Sequence, residues 1–530
     1  MTMKRTVLAV AASITLAFGG FVWFTVQPAA TVTFAPFDTP HVVPVTDTNV
    51  TLLTLTGSSR AVSRTTVTVT DDTGNARAVS QHTTDNDTQA VLLDTTQLTE
   101  GTHSFDVTVA GEPARTVTFV IDRTAPPIAI DMPDRHPLRG ETLTLTGTTD
   151  AAVTVTDGVS ATTSDNSGRF TLPITVDSDT VTLTATDQAQ NVTTTQMTLT
   201  VIPSRVTLPH VRALHVSFHA WGDPARRARI DALLDAGIVN AIQFDVKDES
   251  GHVGHRSDVA FANDTGAALN LYELSDVVAE LHARNIPVIG RIVAFADPIV
   301  AQYAYRTGDT DLAIQTPSGA LYTGNYQGFT NFTHPKIINY MTDLALEAAA
   351  AGVDHILWDY LRRPDGRLSQ IVIPGLDGPV EAAIVAFTAH VDEALYPWRI
   401  EHGASLYGIS ADRPREIGQD VAALSHHLDY VAPMIYPSHW GPGEYGVADP
   451  NRQPRAIVEA TLNVWLRATE NSRARVIPWL EDTSYRAYDR PYHVREQHRG
   501  TYAVGIREWL MWDAGSRFTP AAYDVAPPTE

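Results

Sequence analysis

The chain contains 530 residues, 43% of them hydrophobic, which is enough for about three domains with cores of their own. Its 60 acidic and 38 basic residues give a formal net charge of -22, which argues against nucleic acid and anionic lipid surfaces as partners and favours a neutral ligand. The chain has no cysteine, which excludes disulfides, thiolate metal sites and cysteine nucleophiles.

Residues 1–30 predict a membrane anchor or a signal peptide. Lys4 and Arg5 precede an uncharged stretch at 6–26, and a run of this length can just span a bilayer. An uncleaved anchor and a removed secretory signal, with a cleavage site near 28–30, are both compatible with the pattern. In either case the basic flank stays inside, and we expect the rest of the chain outside the cytoplasmic membrane.

Residues 31–203 predict two all-β domains, at 31–124 and 125–203. Thr, Val and Asp alternate here, and a period of two is typical of strands with one face in water. Residues 53–57 (LTLTG) recur at 143–147, and residues 67–71 (VTVTD) recur at 153–157, which favours two copies of one sandwich. Together with the segment 187–191, the pattern resembles bacterial Ig-like modules, which implies a spacer or an adhesive stalk.

Residues 204–530 predict a (β/α)8 TIM barrel, because apolar strands alternate with Ala-rich and Leu-rich helices. A doubly wound sheet is the alternative. The predicted helices include 225–236, 274–284, 335–351 and 455–469. The predicted strands are 211–218, 241–246, 287–293, 353–359, 405–410, 430–436, 476–481 and 506–512.

The carboxyl ends of barrel strands line one mouth, where barrel enzymes carry their chemistry. The fourth predicted strand ends in Asp359, followed by an aromatic ring and two arginines. Indoles, carboxylates and bases follow the other strands as well. The candidate substrate-binding residues at this mouth are Asp245, Lys247, Arg291, Tyr360, Arg362, Tyr436, His439, Trp440, Trp479 and Trp512.

These residue types suit the cleavage of a glycosidic bond, which needs one carboxylic acid and a second carboxylate. The candidate catalytic residues are Asp359, Asp412, Glu481 and Asp482. Glu481 and Asp482 are adjacent, so on an extended strand only one of them can face the centre. The structural alternatives are ion pairs of Asp245 with Lys247 and of Asp359 with Arg362, and a helix cap at Asp412.

A long insertion at 296–335 follows the third strand and is rich in Tyr and Phe. A loop of this length in a compact domain is commonly functional, and we expect it to bind substrate. A small satellite core of aromatic rings is the alternative. The sequence contains no cofactor motif, and His426 and His427 lack a third ligand at metal spacing, so we predict neither a cofactor nor a metal.

Six ordered segments of the barrel resemble a known family. They are residues 244–251, 288–295, 358–362, 410–412, 432–440 and 478–482. The family consists of bacterial and archaeal glycosyl hydrolases and is still catalogued as a domain of unknown function. The resemblance implies a TIM barrel distantly similar to the alpha-amylase superfamily, acting on polysaccharide outside the cell.

By analogy with amylase-like barrels, the resemblance implies that Asp359 is the nucleophile, Asp412 the general acid and base, and Asp482 the stabiliser of the charged sugar. The chain departs from the family pattern at Glu481, at residues 413–415 and at Arg363. The first departure leaves open which of Glu481 and Asp482 acts.

The sequence therefore predicts an extracytoplasmic glycoside hydrolase of polysaccharide or oligosaccharide that uses paired carboxylates with retention. The alternative is a non-catalytic carbohydrate-binding or scaffold protein at the cell surface, on an Ig-like stalk. Carboxyl groups about 5 to 5.5 Å apart would favour retention, and groups about 6.5 to 9.5 Å apart would favour inversion.

Overall fold

The computed structural model describes residues 30–35, 41–85, 87–483, 489–523 and 525. The predicted anchor or signal lies outside these ranges, apart from its last residue. Within the described ranges, no helix is long and apolar enough to cross a membrane. The chain divides into two compact units, one formed by Met1–Pro133 with Gly140–Leu199 and the other by Asp134–Arg139 with Thr200–Glu530.

The first unit is built from β-sheets, as predicted. Its first nine strands form a four-stranded and a five-stranded sheet, and the next seven form a three-stranded and a four-stranded sheet. A short helix, Ser59–Val62, lies between two of the strands. The strands are Thr31–Phe34, His41–Val43, Asn49–Thr56, Val67–Asp71, Ala76–Arg77, Val79–Asp85, Thr88–Asp94, Gly101–Val109, Arg115–Ile121, Ile128–Ile130, Thr142–Thr149, Thr154–Thr156, Ala161–Thr163, Arg169–Thr175, Thr180–Thr186 and Val192–Thr198.

The repeated segments occupy equivalent strands. Residues 53–57 and 143–147 overlap Asn49–Thr56 and Thr142–Thr149, and each of these strands pairs in one sheet of its set. Residues 67–71 and 153–157 overlap a strand of the other sheet in each set. Burial alternates most clearly along another strand of this unit, Arg169–Thr175, which therefore has one dry and one wet face. The Ig-like assignment and the boundaries at 124 and 203 stay predictions.

The second unit contains a closed parallel barrel, as predicted, and not a doubly wound sheet. Its strands pair in the order 5-4-3-2-1-8-7-6, and the fifth also pairs with the sixth. The seventh strand is interrupted at Pro478, which has no N–H to donate. The strands are β1 (Arg212–Val216), β2 (Ala241–Lys247), β3 (Val288–Val293), β4 (His355–Asp359), β5 (Glu401–Tyr407), β6 (Tyr430–Met434), β7 (Arg475–Val476 and Trp479–Glu481) and β8 (Trp509–Trp512).

The helices agree with the predicted ones to within two residues at each end. The α-helices are Phe218–Trp221, Pro224–Asp235, Ala260–Thr265, Leu274–His282, Pro298–Thr307, Pro335–Ala350, Val380–Leu395, Val421–Leu424, Pro454–Thr469 and Arg490–Ala503. Short 3-10 helices are Thr310–Leu312, Leu368–Gln370, Tyr396–Trp398, Pro414–Glu416, Pro437–His439, Glu444–Gly446 and Pro520–Ala522.

One strand was predicted too late in the chain. β5 begins at Glu401 and ends at Tyr407, whereas the sequence predicted 405–410. Its early part contains Gly403, which is a poor strand residue by composition. A Cβ at Gly403 would lie 2.4 Å from the Tyr430 ring, so the glycine is what allows that ring into the barrel. Asp412 consequently lies five positions beyond the end of the strand.

Alternation along each strand separates two cores. Ala213, Ile289, Leu357 and Leu510 point inward and pack with Trp479 inside the barrel. Their neighbours, such as Trp358 and Leu480, point outward and pack against the helices. The polar side chains that replace apolar ones at the carboxyl ends of the inner face form the candidate site.

Candidate active site

A cavity of about 510 Å³ is lined by residues at the carboxyl ends of the strands. Its volume falls in the range of small-molecule sites. It brings together Asp359 and eight of the ten predicted binding residues. These eight are Arg291, Tyr360, Arg362, Tyr436, His439, Trp440, Trp479 and Trp512. Asp245, Lys247, Asp412, Glu481 and Asp482 are not among the described lining residues.

Asp359 lies on the cavity wall and is held by three N–H donors. Trp358 packs outward against Phe387, with ring centroids 5.4 Å apart, so Asp359 points inward. Its Oδ2 accepts from Nε of Arg291 at 2.8 Å and pairs with Nη2 at 2.7 Å. Its Oδ1 accepts the N–H of Tyr360 at 2.7 Å. These donors fix the orientation of the carboxylate and stabilise its charge.

Tyr360 holds this position in an unfavourable backbone conformation. Its φ of 49° is in the left-handed region, which bulky residues rarely adopt. Strain of this kind is concentrated at functional sites, where surrounding contacts maintain it. In this conformation the Tyr360 N–H donates to Asp359 and the Tyr360 ring packs on Arg362.

Asp245 and His215 support Arg291 from below the cavity. Nη1 of Arg291 donates to Asp245 at 3.0 Å, and Nε2 of His215 lies 3.1 Å from the same carboxylate. Burial works to raise the pKa of Asp245, but His215 and Arg291 outweigh it and hold that pKa well below its usual range. Burial lowers the pKa of His215, and the charge of Asp245 outweighs it and raises it. Asp245, predicted to bind substrate, is therefore a buried support for Arg291.

Lys247, also predicted to bind substrate, faces away from the cavity. The pairing of β2 with β3 shifts register between Asp245 and Lys247, so Lys247 aligns with the outward Ile292. A bulge of this kind turns the following side chain to the other face. The Lys247 ammonium lies 3.0 Å from Asp297, and both side chains are fully buried. The alternative ion pair of Lys247 with Asp245 is not formed either.

Glu481 points toward the barrel interior, behind the cavity wall. Ser438 donates its N–H to Oε1 at 2.7 Å and its hydroxyl to Oε2 at 2.6 Å. Burial raises the pKa of Glu481 to about 7, although the Ser438 hydrogen bonds lower it in part. The Ser438 hydroxyl also lies 2.9 Å from Nδ1 of His439, which lines the cavity. A hydrogen-bonded chain therefore joins the buried Glu481 to the cavity.

Tyr436 lies near both Asp359 and Glu481. Burial raises the pKa of its hydroxyl, and the charges of Asp359 and then Glu481 raise it further. The Tyr436 ring stacks on Trp512 at 5.6 Å and 26°. Both rings line the cavity, so they give this part of its wall an aromatic surface.

Asp482, one of the predicted catalytic residues, is turned outward, away from the cavity. Successive residues of a strand point to opposite faces, and Glu481 takes the inner one. Asp482 is fully buried and pairs with Arg490 at 2.6 Å. Its Oδ2 accepts from the N–H of Thr519 at 2.6 Å and from the Tyr523 hydroxyl at 2.9 Å. These contacts attach the C-terminal segment to the barrel.

We expect Asp482→Asn to lower the free energy of unfolding by about 2 to 3 kcal/mol, because it removes the charge that Arg490 faces in a buried site. The catalytic rate of the folded fraction should change less than about threefold, because Asp482 does not contact the cavity. Denaturant unfolding and initial rates, measured on one preparation, check both values. A loss of rate without a loss of stability would return Asp482 to the catalytic site.

Asp412 lies in the loop after β5 and is exposed. Its Oδ1 accepts from the Tyr445 hydroxyl at 3.0 Å, and the neighbouring Arg413 pairs with Glu444 at 2.6 Å. It caps no helix, since Pro414–Glu416 follows Arg413 without a side-chain cap. The structure therefore does not bring Asp412 to the cavity, because β5 ends earlier than predicted.

The sequence reasoning missed Glu249 as a site residue. Glu249 lines the cavity with half of its side chain exposed, and its Oε2 lies 3.3 Å from both Nη atoms of Arg291. It belongs to the segment 244–251, so its position after β2 was the available signal. Tyr407 and Gln419 also line the cavity and were not predicted.

The insertion at 296–335 packs into the barrel and also reaches the cavity wall. Phe329 and Phe332 are buried in the main hydrophobic core, where Phe332 packs on Phe295 with ring centroids 5.1 Å apart. Tyr326 lines the cavity and meets Tyr360 edge to face at 5.0 Å. A second cavity of about 380 Å³ shares Glu249 and Tyr326 with the first.

Gly408 allows one indole to approach the backbone of the wall. A Cβ there would lie 2.7 Å from the Trp440 ring and 2.7 Å from the Met434 carbonyl oxygen.

Among the described residues, no group of three or more His, Asp or Glu side chains is arranged to hold a metal ion.

Comparisons with known proteins give one family and several similar solved structures. The model of a domain described as "Putative glycosyl hydrolase domain" matches residues 213–518, more than half of the chain. No curated protein sequence matches significantly. A hypothetical protein from Ruminiclostridium thermocellum is 26% identical over 36% of this chain and 96% of its own, with a TM-score of 0.32.

Two other solved structures have lower identity. The PgaB (BpsB) glycoside hydrolase domain from Bordetella bronchiseptica is 17% identical over 58% of this chain and 95% of its own, with a TM-score of 0.41. A catalytic domain of the Group II chitinase from Ostrinia furnacalis is 11% identical over 58% of this chain and 90% of its own, with a TM-score of 0.37.

Proposed function

Because the chain belongs to this glycosyl hydrolase family, we propose that its barrel hydrolyses a polysaccharide outside the cytoplasmic membrane, with Asp359 as nucleophile and Glu481 as the source of the leaving-group proton. One observation carries these roles. Two carboxyl groups lie near the same tyrosine, Tyr436: Asp359 is held on the cavity wall by Arg291, and Glu481 is buried behind that wall with a raised pKa. Hydrolysis of a glycosidic bond needs one carboxyl group as nucleophile and another as acid.

Asp359 is suited to attack. Two of its contacts come from the guanidinium of Arg291 and one from a backbone N–H, and together they fix the direction in which the carboxylate faces the cavity. Its Oδ1 would attack the anomeric carbon while the bond to the leaving oxygen breaks. The resulting glycosyl ester is then hydrolysed by water, which gives retention of configuration.

Glu481 is suited to supply the proton. With a pKa of about 7 it is roughly half protonated at neutral pH and largely protonated in more acidic solution. It does not line the cavity, so the proton would pass through the Ser438 hydroxyl to Nδ1 of His439 while Nε2 of His439 protonates the leaving oxygen. When water attacks the ester, the same hydrogen bonds would carry a proton from that water back through His439 and Ser438 to Glu481.

Two further features support a polysaccharide as the substrate and a location outside the cytoplasmic membrane. The second cavity beyond Glu249 and Tyr326 offers space for sugar units on one side of the bond that breaks. The basic residues and uncharged stretch at 1–30 favour export. Protease accessibility of the barrel in intact cells would test the location.

We expect the purified full chain to release reducing ends from at least one member of a panel of bacterial and plant polysaccharides. The first anomer formed, followed by NMR, should keep the configuration of the substrate. Inversion would replace the nucleophile role of Asp359 with that of a base acting on water.

A non-catalytic binding protein remains the second candidate, because Arg291 engages Asp245, Asp359 and Glu249 together. Saturable binding of one glycan without release of reducing ends, at any pH between 5 and 8, would favour it. A calorimetric titration against the same panel distinguishes the two.

A further inference from the structure

Two N–H donors on the cavity wall have no acceptor. Nη2 of Arg362 and Nε1 of Trp440 are buried without a hydrogen-bond partner in the described part of the chain. Both residues line the cavity, with 1% and 8% of their surface exposed. A buried donor without a partner is destabilising, and native structures contain few of them. An acceptor that arrives with the substrate would satisfy both.

The guanidinium of Arg362 is held in place by its other contacts. Nη1 donates to the carbonyl oxygen of Arg363 at 2.9 Å and to Asp365 at 3.3 Å. The rings of Tyr360 and Tyr407 lie 4.9 and 4.8 Å from its central carbon. Ring faces stabilise the cation without accepting a conventional hydrogen bond. The side chain is therefore preorganised, while Nη2 has no hydrogen-bond acceptor among the described residues.

The charges that line the cavity are unevenly divided. The carboxylates among the described lining residues are Glu249 and Asp359, and both bond Arg291. Neither forms a salt bridge with Arg362, whose carboxylate partner is Asp365 in the following loop. Tyr407 packs on Arg362, and the adjacent Gly408 lies against the Trp440 ring. The wall that these two neighbouring residues help to form thus carries both N–H donors and the positive charge of Arg362.

We propose that Arg362 and Trp440 bind a carboxylate on the sugar substrate, so that the polysaccharide cleaved by this site contains uronic acid residues. This inference rests on the proposed function. A guanidinium and a carboxylate form strong, charge-assisted hydrogen bonds. The net charge of -22 disfavours an anionic polymer at long range. At physiological salt, charges beyond about 8 Å are screened, so the contacts inside the cavity decide selectivity.

The test compares matched polymers that differ in one group. Polygalacturonate, polymannuronate and a glucuronate polymer are assayed before and after chemical reduction of the carboxylates to hydroxymethyl groups. For at least one polymer, the wild-type chain should have a kcat/KM about 10- to 100-fold higher on the carboxylated form, as expected for a hydrogen bond to a charged group. Arg362→Gln should abolish this preference by lowering kcat/KM on the carboxylated form alone.

Trp440→Phe is the milder second variant, because it removes the N–H and keeps an aromatic ring. We expect it to reduce the preference about three- to tenfold. Thermal unfolding of both variants checks that they fold. Equal losses on both polymer forms, or a preference for the reduced form, would overturn the inference and leave the hydrolase proposal standing.

Calorimetric binding to Asp359→Asn separates this inference from the proposed function. Preferential binding of the carboxylated polymer, together with no hydrolysis by the wild-type chain, would support the carboxylate site and contradict the hydrolase. Tighter binding of dextran sulfate than of every uronate polymer would replace the carboxylate by a sulfate ester and overturn the inference. No binding of any uronate polymer would overturn it as well.

Discussion

Asp359→Asn is expected to lower kcat at least about 1,000-fold, because an amide cannot form the glycosyl ester and the remaining groups act only through binding and proton transfer. The substitution is isosteric, and its side-chain oxygen can still accept a hydrogen bond from the Tyr360 N–H or from Arg291. Arg291 also keeps its contacts to Asp245 and Glu249. The fold should therefore persist. Initial rates of reducing-end release on the substrate found by the panel measure the effect.

Asp412→Asn is the matched control for this variant. It makes the same chemical change at an exposed carboxylate outside the cavity, and kcat should stay within about twofold of wild type. Near-wild-type activity of Asp359→Asn would contradict the nucleophile role. Loss of activity in Asp412→Asn alone would favour the role implied by amylase-like barrels and would require the loop at 410–413 to move over the cavity.

The sequence predicted the barrel well because its strands are apolar runs of the right length between turn residues. β4 is typical, since its end at Asp359 was predicted to the residue. β5 was misplaced because its early polar residues and Gly403 do not form an apolar run. The interior position of Gly403 depends on the Tyr430 ring from the next strand, a contact that no local pattern reveals.

The inward and outward faces were harder to predict than the strands. Adjacent residues point oppositely, so the sequence could say that one of Glu481 and Asp482 faces the centre. Choosing between them requires knowing which of Trp479 and Leu480 is inside the barrel, and both are apolar. At β2 a bulge changes the face at Lys247, and this register shift has no local signal.

The supporting residues of the site were missed for a related reason. His215 is the second-to-last residue of β1 and precedes the mouth, whereas the sequence analysis considered the residues at and after the strand ends. Ser438 connects Glu481 to His439 because it lies in the short helix Pro437–His439, where its hydroxyl reaches Glu481 at the end of β7. Contacts of this kind join residues that are far apart in the sequence, so no local sequence pattern predicts them.

Glu481→Gln is expected to lower kcat about 100- to 10,000-fold, the range attributed to general acid catalysis. In the wild-type chain, kcat should fall as the pH rises through about 7, because Glu481 then loses the proton it must supply. The variant has no such titration, so its residual rate should lack this limb. Rates between pH 5 and 9 measure both effects, and Ser438→Ala should reproduce the loss if the proton passes through that hydroxyl.

The same substitution should stabilise the fold in alkaline solution. The folded pKa of about 7 is above the usual value of 4.5, so the protonated carboxyl contributes stability that is full below pH 4.5 and is lost as the pH rises through 7. Above that pH the buried charge is destabilising by about 3 kcal/mol. The glutamine side chain of the variant carries no charge, so the variant should unfold at higher denaturant concentration than wild type at pH 8.5 and at a similar concentration at pH 4.5. Glu393→Gln, an exposed control, should change neither value. Equal stability of Glu481→Gln and wild type at pH 8.5 would mean that Glu481 is ionised without penalty and cannot hold the catalytic proton.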